Sequence, residues 1–124
     1  MRLSLEEFES LVDAALESIP TAFAPYMEGL AIDIEPMPDE DTLADLGIDD
    51  PHDLLGLYRG TPLTARSVEH TFHMPESVVI YQRNLERMCR TRKQLVRQIR
   101  KTILHEVGHH FGLDEDELDE AGYG

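Results

Sequence analysis

Ile103-Leu104-His105-Glu106-Val107-Gly108-His109-His110-Phe111-Gly112-Leu113-Asp114-Glu115 is the stretch whose reading decides the fold. It contains the pattern HExxH, two histidines four apart with a glutamate directly after the first. Residues four apart share one face of a helix, so His105 and His109 can bind one zinc ion with Glu106 beside it.

The residues upstream supply that helix. Thr91 and Gln94 form a capping box, the pattern from Leu95 to Phe111 is amphipathic at helical spacing, and Gly112 is a natural stop. At roughly 100° per residue, Leu95, Val96, Ile99, Ile103, Leu104, Val107 and Phe111 fill one broad apolar arc. His105 and His109 fall on the opposite side, about 40° apart, and Glu106 lies at the seam. A helix that buries one face and offers two imidazoles on the other suits a metal site at the edge of a packed domain.

Working outward, Ser4 and Glu7 form a second capping box, with Leu3 and Phe8 placed as its hydrophobic staple. Phe8, Leu11, Val12, Ala15, Leu16 and Ile19 then follow helical spacing until Pro20. A connector with one further helical turn is expected over 21–29, and Leu30 to Glu35 alternates as a half-buried strand does, before Pro36 and Pro38. Asp39 to Asp53 reads as an acidic loop with a short helical turn over 42–46, and it lacks the ligand spacing of a calcium loop. Leu54 to Arg59 and Ser77 to Gln82 are the second and third strands, and a turn near Asn84 leads to Thr91. A last helical turn is expected over 116–121. The order describes an α+β fold, a small β-sheet packed against an N-terminal helix and a long C-terminal HExxH helix.

The chain of 124 residues reads as a single domain, residues 1–124. A net charge of -14 argues against nucleic acid and anionic membranes as partners, since both attract basic surfaces. The charge is segregated: nine acids lie between Asp33 and Asp53, and eight of eleven basic residues between Arg83 and Lys101. Cys89 is the only cysteine, which excludes an internal disulfide and fits a reducing compartment. The opening residues lack the apolar run of a signal peptide and no stretch has transmembrane length, so a cytoplasmic location is expected.

The run from His105 to Gly112, followed by an acid at Glu115, resembles the small bacterial zincin-like family, the minimal zincins. The segments Leu54 to Leu63 and Val79 to Arg83 resemble that family's strands, and the likeness covers most of the chain. The resemblance implies a zinc metallopeptidase, a hydrolase of peptide bonds, reduced to its active-site core. His105 and His109 would be the first two ligands, and Glu106 the general base acting on zinc-bound water. Hydrolysis requires three protein ligands and one open position. The spacing HExxHxxGxx-ligand of metzincins and aspartate-zincins, in which that position is His or Asp, puts the third at Glu115, with Asp114 and Asp116 as close competitors. The expected substrate is a peptide or protein segment, short or extended, added along an exposed edge strand.

Two other classes fit parts of the pattern. One is a binding module of zincin shape, catalytically weak or inactive, which holds a peptide or protein. The other is a metal-dependent endoribonuclease with an HGxxHxxGxDH arrangement, disfavoured because that pattern lacks a glutamate at the position of Glu106 and has His where Glu115 stands, and because the acidic balance of this chain is unfavourable for RNA. Of the remaining side chains, His110 reads as a core histidine or one supporting the site, His52, His70 and His73 as surface residues, Met74 and Met88 as core fillers, and Tyr123 as a packing or disordered residue of the tail.

Overall fold

A computed structural model describes residues 1–60 and 76–113. The Val-Val-Ile-Tyr run of Ser77–Tyr81 forms β3, buried at every position, and this is the central strand of a three-stranded sheet of the described residues. A short strand covered on both faces needs apolar residues in succession, not in alternation. β1, Ala31–Glu35, lies parallel to β3 on one side, and β2, Gly56–Arg59, lies antiparallel on the other. β1 keeps the expected alternation, with Ile32 and Ile34 partly buried against the core and Ala31 and Asp33 exposed.

The helices follow the caps read from the sequence. α1, Leu5–Glu17, starts at Ser4 with a complete capping box to Glu7, and Leu3 and Phe8 join the core as its staple. A 3-10 turn at Thr21–Phe23 and a short α2, Ala24–Met27, make the connector to β1. α3, Glu40–Leu46, begins two residues before the expected turn because the Asp39 carboxylate caps the Thr42 amide at 2.7 Å. Gly47, at φ 67°, ends it in the left-handed conformation.

Past β3 the structure departs from the sequence reading. The residues around Asn84 are α4, Gln82–Met88, not a turn. No side chain caps its start at Tyr81, so no local signal announces it. Tertiary contacts hold it instead: the Asn84 amide donates to the Pro51 carbonyl at 2.8 Å and to the Leu54 carbonyl at 2.7 Å. Leu85 and Cys89, four apart, take its inward stripe, which leaves Met88 57% exposed and corrects its reading as a core filler.

α5, Arg92–His110, carries the second capping box, from Thr91 to Gln94. Leu95, Ile99, Ile103 and Val107 recur every four residues, are fully buried, and pack with Phe8, Val12 and Ala15 of α1 and Val78 and Ile80 of β3. Arg92 bridges to Glu7 at 2.7 Å across the α1–α5 contact. Among the described residues, no helix is long and apolar enough to cross a membrane. The expected final turn over 116–121 lies outside the described residues.

Glu86 ties the N-terminus to this frame. Its carboxylate, 2% exposed, accepts from the Leu3 amide at 2.9 Å, from Gln82 at 3.0 Å and from Arg83 at 2.7 Å. Burial pushes the carboxyl up, but the bonds from Gln82, Leu3 and Arg83 outweigh it and hold it below the ordinary carboxylate value. A depressed carboxylate stabilises the fold above the unfolded-state pKa, and that contribution is lost as pH falls through the folded value. Glu86→Gln is expected to cost about 1–3 kcal/mol in urea unfolding at pH 7, shrinking as pH falls below about 4. An equal cost at both pH values would contradict the carboxylate's role.

Candidate metal centre

α5 brings His105 and His109 together as the spacing requires: their ring centroids lie 4.2 Å apart and their planes are tilted by 48°. His105 is half-buried and His109 exposed, on the flank away from the buried stripe. The helix ends directly after them. The Leu113 amide donates to the Gly108 carbonyl at 2.8 Å and the Gly112 amide to the His109 carbonyl at 3.1 Å. Gly112 has φ 81°, so this is a Schellman ending, the sharp turn expected after the motif.

Glu106 is positioned from β2. In this antiparallel pair the Tyr81 amide bonds the Leu55 carbonyl, and Tyr58 is opposite Val78. Hydrogen-bonded and non-hydrogen-bonded pairs alternate along such a ladder, so the Tyr58 amide points away from β3. It donates to the Glu106 carboxylate. Burial is the largest influence on that carboxyl and pushes it up, while the charge of His105, the Tyr58 amide and the charge of His109 offset only part of the rise. The result is a half-buried carboxylate more basic than an ordinary glutamate, next to two imidazoles.

β2 reaches α5 because Gly56 has no side chain. A Cβ there would stand 2.8 Å from Thr102 Cγ2 and 3.2 Å from the Val79 carbonyl oxygen. A glycine inside a strand signals such close approach, and this was the available clue to a contact that the sequence reading did not draw. Tyr58 and Glu76 were also missed. The Tyr58 ring stacks on His110 at 3.9 Å with planes 8° apart, and His110 Nε2 lies 3.9 Å from Glu76 Oε1. His110 therefore occupies the supporting place expected of it, at the inner side of the motif. His52 is a surface residue bonded to Asp50 at 3.0 Å, also as expected.

Two imidazoles on one flank of α5, with a cleft opening at His105, fit a zinc ion as part of its ligand set. Among the described residues, no group of three His, Cys, Asp or Glu side chains converges there. Glu115, Asp114 and Asp116 lie outside the described residues, as do His70, His73, Met74 and Tyr123.

A family model described as zincin-like metallopeptidase matches residues 27–123. The chain belongs to the zincin-like metallopeptidases. The zincin match spans all three strands, α4, α5 and the tail, and leaves α1 outside. No curated protein matches the chain. Zincins in general are zinc-dependent, and this supports the metal reading of the paired histidines.

Two expectations follow from the zincin geometry. Gly56→Ala should push β2 off α5 and cost about 1–3 kcal/mol, measurable as a lower urea midpoint; an unchanged midpoint would mean that Thr102 yields freely. Glu106→Gln keeps an acceptor for the Tyr58 amide but removes the buried charge. A raised carboxyl pKa means that stability falls as pH rises from the unfolded value through the folded one. The metal-free variant should therefore melt above wild type at pH 7, with the gap closing below about pH 4, as differential scanning calorimetry would record. A gap that widens toward acid would reverse the sign.

Proposed function

We propose that this domain hydrolyses peptide bonds with zinc held by His105, His109 and a tail carboxylate, Glu115 by spacing, and with Glu106 as general base. The observation that carries this reading is the pairing of the His105 and His109 rings 4.2 Å apart on one flank of α5, with the Glu106 carboxylate anchored beside them by the Tyr58 amide. When bound, zinc polarises a carbonyl and makes water acidic enough to ionise near pH 7.

The residues of the chain divide the remaining work. Glu106 takes the proton of the attacking water and returns it to the departing amine. The Tyr58 amide holds one carboxylate oxygen, leaving the other to exchange the proton. Tyr58 stacked on His110 keeps that amide and the helix in register. The substrate is a peptide or protein segment; the acidity of the chain supports the absence of nucleic-acid and anionic-membrane partners, and the lone Cys89 fits a reducing, cytoplasmic compartment.

Calorimetric titration of zinc into metal-free protein tests the ligand set. Wild type should show one tight site, lost in His109→Ala and strongly weakened in Glu115→Ala. Glu106→Gln should keep the zinc affinity while turnover of a peptide library falls by about 10²–10⁴. Tight zinc with no turnover in wild type would leave a zincin-shaped binding module as the better account.

A further inference from the structure

We propose that the outer face of α5 forms an acidic-peptide groove leading away from Glu106. The preferred substrate then has an apolar residue beside the cleaved bond and acidic residues about two and four positions further on. The proposal deepens the hydrolytic reading and rests on it for the position of the cleaved bond.

Two clefts meet on this face. The first, about 410 Å³, is walled by Leu54, Leu55 and Met88 and reaches His105 and Glu106. The second, about 350 Å³, is lined by Arg90 and Arg97. Met88, Gln98 and Lys101 line both, so the clefts form one continuous groove. Its floor is a stripe of α5: Gln94, Arg97, Gln98, Lys101 and His105 recur at three- and four-residue spacing.

Its chemistry changes along its length. At the Glu106 end, Leu54, Leu55 and the 57% exposed Met88 offer apolar surface, and exposed Asp53 repels an acid placed there. Beyond Met88 the groove is cationic. Arg90, Arg97 and Lys101 are exposed, and no carboxylate among the described residues pairs with them, whereas Arg59, Arg83 and Arg92 each have one. In a chain of net charge -14, a row of three cations in a cleft, without a carboxylate partner among the described residues, attracts acidic ligands. A helix rises about 1.5 Å per residue, which puts Lys101 about 6 Å and Arg97 about 12 Å from His105 along the axis. An extended peptide advances about 3.3 Å per residue, so these cations meet its second and fourth residues past the bond.

The test is fluorescence anisotropy on zinc-loaded Glu106→Gln protein with labelled peptides of about ten residues. Each has one central leucine, flanked on both sides by glutamates, serines or lysines. The glutamate peptide should bind on the order of tenfold tighter than the serine peptide, with the lysine peptide weakest. Adding Arg97→Glu with Lys101→Glu should abolish this ranking, while Lys93→Glu, one such charge reversal placed off the groove, should keep it. Raising the ionic strength should shrink the preference in the parent protein, a check that needs no further substitution. Equal binding of glutamate and serine peptides, a ranking that survives the double reversal, or tighter binding of a single-stranded oligonucleotide would overturn the proposal. Zinc titration alongside metal-free anisotropy separates the two readings: the absence of a tight zinc site ends the hydrolytic one, and the peptide ranking on metal-free protein still decides the groove.

Discussion

The structure depends on how closely β2 crosses α5. Gly56 allows that approach, with the position of its absent Cβ 2.8 Å from Thr102. The approach in turn delivers the Tyr58 amide to Glu106 and the Tyr58 ring to His110. A ladder shifted by one residue would exchange the inward and outward amides and put the ring on the other face of the sheet. The register with β3 therefore sets the geometry around the HExxH motif as surely as the motif itself does. β3 can enforce that register because it is buried on both faces and tied to a strand on each side.

Two glutamates on neighbouring helices, one buried and one half-buried, show how surroundings set the charge of identical side chains. Burial pushes both carboxyls up. Glu86 meets the Leu3 amide, Gln82 and Arg83, which outweigh the burial, and it stays a charged anchor for the N-terminus. Glu106 has the Tyr58 amide and the charges of two histidines, which do not outweigh it, and it stays basic. An anchor needs a stable charge and the proposed base a labile one, and the donors around each carboxylate decide between them.

α5 has three surfaces with separate work. Its buried stripe of Leu95, Ile99, Ile103 and Val107 joins the core, the histidine flank faces outward near its end, and the exposed cations Arg97 and Lys101 continue a face that begins at Arg90, just before the helix. The concentration of basic residues in this segment, visible in composition as a bare asymmetry, becomes a lined groove only when α4 and the start of β2 supply the opposite wall. Met88 marks the junction. Its exposure follows from Leu85 and Cys89 holding the inward positions of α4.

The sequence by itself determined the elements whose signals are local. Both capping boxes, the periodicity of α1 and α5, the apolar run of β3 and the spacing of His105 and His109 are properties of residues within a few positions of one another. The zincin-like family and the α+β class were legible for that reason. Tertiary structure alone decided α4, which has no side-chain cap and is held through Asn84 and Glu86 by residues far away in the chain. It also decided the partner of Glu106, because a backbone amide has no sequence signature and its direction depends on which residue of β3 it faces. Local order is written in spacing and caps, whereas burial, strand register and the basicity of a carboxylate exist only once distant segments meet.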